Sequence, residues 1–318
     1  MIGTALRRAL LARGDSVQVL TRGAPTAEHQ IQWDPAKGIP ALAQLEGVDT
    51  VVNLTGAPIA DRPWTKARRK VLWESRVDAT NTLVAALATL RTPPTVFVGT
   101  GGLGLFGDRG EETVDDDDPP GAGFLPELSA AWEAAHLTSA RKLGARASVL
   151  RMSMVLSPEG GVFPLMVKPF RYVGGWVGNG KQFTSWISIR DCVGALTWLV
   201  DHEDCAGGFN GTVPLPIRNK EWCKALGRVL HRPVITHAPK WALRGALGDL
   251  ADELFLASLR AIPRKLTESG YAFVDTDPEA TFRWLVHELD RPGGPATDHL
   301  PAGRPPTGRP PTGRPPTE

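Results

Sequence analysis

The chain has 318 residues, of which 42% are hydrophobic, and its 36 Lys and Arg nearly balance its 34 Asp and Glu, for a net charge of +2. This length and composition suit a globular protein with one or two cores, and the balanced charge excludes the strong positive field that binds nucleic acids or anionic membranes. We therefore expect no nucleic-acid and no membrane partner, and a small-molecule substrate bound by a monomer or a homodimer.

The cysteines indicate the cellular compartment. Cys192, Cys205 and Cys223 are widely spaced and form no C-x-x-C pair, which argues against a disulfide framework and a structural zinc site. No apolar run is long enough to span a bilayer, and the N-terminus lacks the apolar core of a signal peptide. The predicted location is a reducing cytoplasm, and no metal is expected.

The chain opens on a helix rather than on a strand. The first residues, MIGTALRRALLARGDSVQVLTR, predict a helix from Thr4 to Arg13, a turn at Gly14 and a strand from Val17 to Leu20. A weak extended stretch follows around Ile31 to Trp33, and the apolar run from Val48 to Leu54 is typical of a buried parallel strand.

Helices and strands then alternate. A long helix is predicted from Thr65 to Leu90, ended by Pro93-Pro94 before the strand TVFVGTGG, and a second helix from Pro126 to Lys142 precedes the strand ASVLRMSMVL. This alternation predicts an α/β protein with a doubly wound parallel sheet over residues 1–157. From Pro158 to residue 290 the pattern loosens, which predicts a smaller, mixed α/β region interleaved with the first.

The C-terminus, residues 291–318, has a different composition. GRPPT occurs three times in tandem from Gly303 to Thr317, with almost no apolar side chains. Such a segment cannot bury enough surface to offset its ordering entropy, so we expect a disordered tail, partly in polyproline II conformation. The alternatives are an inert tail, which is favoured, and a proline motif that docks on a partner.

Segments distributed from Ile2 to Leu289 carry a family resemblance. They read IGTALRRALLARGDSVQVLTR, VVNLTGAPIADRPWT, ESRVDAT, GLFGDRG, FLPELSAAWE, LRMSMVLSPEGG, GNGKQFTSWISIRD and FNGTVPLPIRNKEW. In this order and spacing they resemble the extended short-chain dehydrogenase/reductase superfamily, in its atypical branch of nucleoside-diphosphate-sugar-epimerase-like, cell-division-inhibitor-like proteins. The resemblance implies a Rossmann-like NADP-binding domain at 1–157, a substrate-side region at 158–290, and an oxidoreductase or nucleotide-sugar epimerase-like function.

In that family a strand runs into G-x-x-G-x-x-G, whose last glycine opens the first helix. Gly3 matches this last glycine. We therefore expect the first strand and two glycines, about ten residues in all, to lie upstream of Met1.

Four places are predicted to bind the cofactor NADP(H). The glycine turn at Gly3 lets backbone N–H groups approach a pyrophosphate at a helix N-terminus. Arg22, about 20 residues further on and directly after the second strand, would accommodate a 2′-phosphate and so favours NADP over NAD, the alternative being an ordinary surface arginine. NLTGA resembles the strand-end motif that lies along the dinucleotide, where small residues permit close contact, so Leu54, Thr55 and Gly56 are candidates, with a plain strand-to-loop turn as the alternative.

Arg76, in ESRVDAT, is the fourth predicted cofactor contact. Related proteins place there an asparagine that faces the diphosphate, and an arginine could pair with phosphate oxygens. A helix-surface salt bridge is the equally weighted alternative.

The catalytic residues of the superfamily are absent from the matching positions. Hydride-transfer members use Ser, Tyr and Lys, with Tyr and Lys one helical turn apart. Alignment of FLPELSAAWE places Leu125 at the tyrosine and Ser129 at the lysine, and GTGGLGLFG has glycines where the serine is expected, which leaves Thr100 nearby. His136 has i, i+4 spacing from Trp132, but we expect it on the helix surface.

Other family-matching polar residues have structural alternatives. Together with Thr100, Asp108, Arg109 and Glu133 are the weak catalytic candidates, and a buried ion pair explains the last three as well. Trp186 and Arg190 of SWISIRD match a substrate-side segment, or serve packing and helix capping with Asp191. The acidic run at 111–118 is expected to be a solvated loop.

Three functional hypotheses follow from these residues. The first is an NADP(H)-dependent oxidoreductase or epimerase-like enzyme that acts without the tyrosine. The second is an NADPH-binding regulatory protein without turnover. The third is an inactive N-terminal truncation.

Overall fold

Residues 1–291 are the part of the chain that the computed structural model describes, so the predicted tail lies outside it from Pro292 onward. The first helix, α1 (Ile2–Ala12), buries Ala5 and Leu6 against the sheet. It ends before Gly14, whose φ of +94° is a conformation that glycine adopts without strain.

Strands and helices alternate along the described residues. The strands are β1 Val19–Thr21, β2 Gln30–Gln32, β3 Thr50–Asn53, β4 Val96–Gly102, β5 Thr113–Val114, β6 Arg146–Met152, β7 Met154–Ser157, β8 Gly160–Gly161, β9 Gly174–Val177, β10 Phe183–Thr184, β11 Trp186–Ser188, β12 Gly207–Gly211, β13 Ile217–Arg218, β14 Val234–Ala238 and β15 Arg260–Ala261. The further α-helices are α2 Lys66–Trp73, α3 Ala79–Leu87, α4 Phe124–Lys142, α5 Phe163–Phe170, α6 Ile189–Asp201, α7 Asn219–Val229, α8 Lys240–Leu247, α9 Arg264–Glu268 and α10 Pro278–Leu289. Short 3-10 helices occupy Leu42–Leu45 and Leu103–Phe106, and π-helices occupy Glu74–Asp78 and Ala251–Leu256.

None of the helices in residues 1–291 has the length and apolarity needed to cross a bilayer.

Four parallel strands form the central sheet, in the order β12-β6-β4-β3. β4 lies in its middle, with Val96–Gly102 opposite Arg146–Met152 of β6, and with its first residues opposite Thr50–Asn53 of β3. β1 and β2 pair in parallel with each other and not with this sheet.

The two faces of the central sheet are covered by different helices. Successive side chains of a strand point to opposite faces, so Val98 of β4 packs with α1 and α6, while Phe97 packs with α3 and α4. A parallel sheet with helices on both faces confirms the predicted doubly wound, Rossmann-like α/β class.

Two predicted elements differ in the structure. The single helix predicted from Thr65 to Leu90 is α2 and α3 joined by the π-helix Glu74–Asp78. The apolar residues keep their helical spacing on either side of this π-helix. The sequence pattern therefore does not reveal the π-helix. The predicted strand ASVLRMSMVL is two strands, β6 and β7, which belong to different sheets and separate at Ser153.

The C-terminal part of the described chain packs around a second core. Trp186, Trp222 and Phe282 are fully buried there together with residues of α5, α7 and α10. A smaller cluster joins this part to the helices of the first region, because Leu250 packs with Leu125 at the start of α4 and with Leu72 of α2.

Candidate functional site

Asn53 organises the loop that follows β3. Its Oδ1 accepts hydrogen bonds from the backbone N–H and the hydroxyl of Thr55, at 3.1 and 2.8 Å, and its Nδ2 donates to Thr80 Oγ1 at 3.0 Å. Thr100 of β4 donates its hydroxyl to the Asn53 carbonyl oxygen at 3.1 Å. These bonds fix residues 53–57, the 53–57 loop, which is the segment predicted to lie along a dinucleotide.

His136 of α4 supplies a further contact to Asn53, and its burial shows that the expected surface position was wrong. Its Nδ1 lies 2.9 Å from the carbonyl oxygen of Trp132, and its Nε2 lies 3.1 Å from Asn53 Nδ2. A carbonyl oxygen can only accept, so Nδ1 carries the proton and Nε2 accepts from the amide. Burial lowers the pKa of His136 to about 4, which keeps the imidazole neutral at pH 7.

Arg76 lies beneath the 53–57 loop, in the middle of the π-helix. Its guanidinium donates to the carbonyl oxygens of Ala57 and Leu72, at 2.9 and 3.2 Å, and its Cζ lies 5.1 Å from the centre of the Trp132 ring. A Cβ at position 56 would come within 3.4 Å of Arg76 Cζ, so Gly56 lets the loop backbone lie directly on the guanidinium. π-Helical turns recur at functional sites.

The positive charge of Arg76 has no carboxylate partner within residues 1–291. The residue is 9% exposed, and the charge that acts on it most is that of another cation, Arg68. Burial, followed by the repulsion from Arg68, lowers the pKa of Arg76 to about 10. Burying a cation without a counter-charge is costly, so this position suits an anionic ligand, and the alternative of a helix-surface salt bridge does not hold.

The first turn of α1 meets the 53–57 loop. A Cβ on Gly3 would lie 3.5 Å from Leu54 Cδ1, an ordinary van der Waals distance. Arg22 follows β1 directly and is exposed, and it joins no hydrogen bond or ion pair in the part of the chain that the structure describes. Gly3 and the loop thus form one surface, and Arg22 is free to bind a ligand.

The carboxyl end of β4 is bordered by apolar and small residues. Leu125 packs against Gly104, where a Cβ would lie 2.5 Å from Leu125 Cδ2, and Ser129 Oγ lies 3.7 Å from the Cβ position of Gly102. Both side chains thus stand beside the strand end, which is consistent with the alignment that assigns them the tyrosine and lysine positions. Neither can act as the general acid of the superfamily, and the hydroxyl of Thr100 is already bonded to Asn53.

Glu133 forms a buried ion pair with Arg151 at the end of β6. Two parallel hydrogen bonds of 2.7 Å join the two side chains, and Arg151 also donates to the Asp116 carbonyl oxygen at 2.7 Å. Asp116 is itself buried, and its carboxylate accepts hydrogen bonds from the backbone N–H groups of Asn210 and Lys265. The acidic run is therefore not wholly a solvated loop, and Glu133 holds structure at this edge of the sheet.

Asp108 and Arg109 join their loop to the C-terminal region. Asp108 Oδ1 accepts from the backbone N–H groups of Gly110 and Ser258, at 3.1 and 3.0 Å, and Arg109 Nε donates to the Phe106 carbonyl oxygen at 3.0 Å. These contacts account for both residues without a catalytic role.

The substrate-side residues have structural partners. Trp186 is fully buried and stacks with Phe282, with ring centres 6.3 Å apart. Arg190 pairs with Asp275, and its Cζ lies 3.9 Å above the Trp284 ring. The geometry of both residues supports the packing alternative.

Comparisons with known proteins agree with this architecture. The model of the NAD dependent epimerase/dehydratase family matches residues 1–210, and that of a domain of unknown function, DUF1731, matches residues 238–285. The epimerase family protein ML0860 of Mycobacterium leprae is 37% identical over 274 residues, which are 86% of this chain and 88% of that protein. An Arabidopsis thaliana protein named as a chloroplastic SDR39U1 homologue is 32% identical over 284 residues, covering 86% of this chain and 80% of its own length.

A solved structure shows the same fold with a nucleotide. Human epimerase family protein SDR39U1, isoform 2, crystallised with NADPH, superimposes with a TM-score of 0.81 at 29% identity and covers 91% of this chain and 97% of its own.

Proposed function

The chain belongs to the NAD dependent epimerase/dehydratase family, and from that premise we propose that it binds NADP(H) across the 53–57 loop, as an oxidoreductase or nucleotide-sugar epimerase-like protein that works without the Ser-Tyr-Lys set. The crystallisation of human SDR39U1 with NADPH supports the choice of cofactor.

The observation that carries the proposal is the uncompensated charge of Arg76. The guanidinium touches the loop at Gly56, keeps Nε free of any partner in residues 1–291, and has no acid to pair with. A diphosphate supplies the missing negative charge and accepts hydrogen bonds from arginine in a favourable geometry. The residues present therefore fit the cofactor.

The other proposed contacts to the cofactor are distributed over the carboxyl ends of the strands. Arg22, after β1, would take the 2′-phosphate, and Gly3 with Leu54 and Thr55 would line the path to the diphosphate. Asn53, held by His136, would keep that path in shape. Bound NADPH would supply a hydride, and the chain's own part is to bind and orient the cofactor.

A second candidate function is NADPH binding without turnover. The position that the superfamily's tyrosine occupies is held here by Leu125, which is 8% exposed and packed in an apolar cluster with Leu128 and Leu250. A leucine donates no proton, which favours a regulatory protein that senses NADPH. Turnover of NADPH with carbonyl compounds would distinguish the enzyme from the sensor.

The experiment that tests the binding proposal is calorimetric titration of the purified chain and of Arg76→Gln with NADPH. A charged hydrogen bond contributes about 1.5 to 3 kcal/mol, so the variant should bind roughly ten to a hundred times more weakly. Arg69→Gln is the matched control, because Arg69 lies on the same helical segment but pairs with Asp249. Equal affinity of all three proteins would refute the role of Arg76.

We also propose a cytoplasmic location and a monomeric or homodimeric state. The three cysteines are free thiols and buried, which supports a reducing compartment.

A further inference from the structure

We propose that the outer edge of β14 and a basic cleft at the start of this strand bind an acidic, extended peptide segment of a partner protein, which adds to the sheet as a further strand. None of the residues of this surface belongs to the proposed cofactor site, so the surface is independent of the proposed function.

The strand β14 has an open edge. It pairs in parallel with β9, and these two strands form a sheet of their own. Its three central residues, Ile235, Thr236 and His237, are all exposed, and Ile235 is 71% exposed. Edge strands are commonly protected by charged side chains, but β14 contains no Lys, Arg, Asp or Glu. Pro233 and Pro239 stand directly outside the strand and limit its length without covering its edge, so a further strand can pair there.

The backbone of His237 supplies the hydrogen-bonding groups of this edge. Along a strand, successive residues direct their N–H and C=O groups to opposite sides. Ala238 directs its C=O to β9, where it accepts from the N–H of Gly178 at 2.8 Å. The N–H and C=O of His237 therefore point away from β9, and they bond to no other segment in residues 1–291. A residue with both groups free can exchange two hydrogen bonds with one residue of an antiparallel strand.

The basic cleft adjoins the start of β14. It holds about 490 Å³, is lined by the basic side chains of Lys224, Arg228, His231 and Arg232, and extends to Val234, the first residue of the strand. Within the part of the chain that the structure describes, no acidic side chain lines it. The charge of the lining is therefore complementary to carboxylates.

Arg232 is the cation of the cleft that no carboxylate neutralises. Lys224 and Arg228 pair with Glu221 and Glu279, which lie outside the lining. The exposed guanidinium of Arg232 instead donates from Nε and Nη1 to two backbone carbonyl oxygens, at 2.7 and 3.2 Å. Its Nη2 has no partner in residues 1–291, so an acidic side chain of a ligand can supply both the counter-charge and an acceptor.

The distance between the two features sets the length of the segment. His237 follows Arg232 by five residues, or about 16 Å at roughly 3.3 Å per residue of a strand. An antiparallel segment that pairs its second residue with His237 brings its fourth residue beside the exposed side chain of Ile235. Its sixth and seventh residues then lie beside Pro233 and Arg232. The surface thus fits an extended segment with an apolar residue at its fourth position and acidic residues at its sixth and seventh.

The test is fluorescence polarisation of two labelled heptapeptides with the full chain. The acidic probe is Thr-Val-Thr-Val-Thr-Glu-Glu, and the neutral probe is Thr-Val-Thr-Val-Thr-Gln-Gln, each with an amidated C-terminus. We expect the acidic probe to bind with a Kd of about 10 to 100 μM and the neutral probe to bind about ten times more weakly.

A first pair of variants tests the cleft. Arg232→Gln should bind the acidic probe about ten times more weakly and leave the affinity for the neutral probe unchanged, because it removes only the unpaired charge. Arg141→Gln is the matched control, since Arg141 is likewise an exposed arginine at the end of a helix, in the last turn of α4. It should bind both probes like the parent chain.

A second pair of variants tests the strand edge. His237→Pro removes the N–H that faces the open edge, and proline is tolerated on an edge strand where the N–H is not part of the ladder. It should lose binding of both probes. His237→Ala keeps that N–H and should bind both like the parent chain. Circular dichroism checks that both variants are folded. If His237→Pro does not fold, the acidic probe N-methylated at its second residue tests the same hydrogen bonds, and it should not bind.

Three results would each overturn the proposal. They are the absence of binding of the acidic probe up to about 1 mM, equal affinity of the parent chain for the two probes, and unchanged binding either by folded His237→Pro or of the N-methylated probe. An equal loss for His237→Ala and His237→Pro would assign the contact to the imidazole, and would overturn the pairing at the strand edge as well.

Discussion

Gly99 and His136 are in such close contact that no other residue fits at position 99. A Cβ there would lie 2.3 Å from Cδ2 and 2.5 Å from Cγ of the imidazole. The absence of a side chain on β4 thus allows α4 to place His136 against Asn53, and through Asn53 to hold the 53–57 loop. A contact in the core of the sheet in this way supports the proposed cofactor site.

Gly99→Ala should therefore destabilise the fold. The added methyl group forces His136 out of its place, and overpacking of this kind costs about 1 to 3 kcal/mol of unfolding free energy. Urea denaturation measures the change. Gly23→Ala is the control, since its nearest atom lies 4.0 Å away and its change should stay within about 0.5 kcal/mol. Equal stability of the two variants would contradict the contact.

His136 should make the stability fall in acid. Its pKa is about 4 in the folded chain against an ordinary value of 6.5, so between these values the unfolded chain binds the extra proton. Stability is therefore lost as the pH falls from 6.5 to 4, by roughly 3 kcal/mol from this group. His136→Gln keeps an acceptor for Asn53 but does not titrate, so its stability should fall less over the same range. Parallel pH profiles of the two proteins would disprove the assignment.

Glu133→Gln should cost about 3 kcal/mol of unfolding free energy, because it removes the carboxylate that makes two hydrogen bonds to the buried guanidinium of Arg151. The comparison is Glu111→Gln, which breaks the exposed pair with Arg218 and should cost much less, because solvent screens exposed ion pairs. Urea denaturation at pH 7 measures both. If the two losses were alike, the Glu133 pair would be no more than a surface ion pair.

Arg22→Ala should reduce the preference for the phosphorylated cofactor. With the cation at the end of β1 removed, NADPH should bind about ten times more weakly while NADH binding stays the same. Arg91→Ala is the control. The side chain of Arg91 is 89% exposed, and its removal should change the affinity for neither nucleotide. A parallel loss for NADPH and NADH would assign Arg22 to another role.

The order of the elements follows from the sequence because it depends on local patterns. Apolar runs such as that from Val48 to Leu54, and helices bounded by Gly14 or Pro93, are set by residues near in the chain. The π-helix at 74–78 and the break at Ser153 depend instead on what the side chains meet after folding. Neither alters the apolar spacing, so neither could be predicted.

The residues of the candidate site can be predicted only where a glycine or a charged residue stands at a motif position. Gly56 and Arg76 could be placed by motif position, and in the structure they touch. The burial of His136 could not, because the space it fills is created by Gly99 on a distant strand.

The most direct measurement of the central claim is a calorimetric titration of the unmodified chain with NADPH and with NADH. We predict saturable binding of one NADPH per chain, in the range of about 1 to 100 μM, and binding of NADH at least about ten times weaker. No heat of binding for NADPH up to about 1 mM, or equal affinity for both nucleotides, would contradict the account.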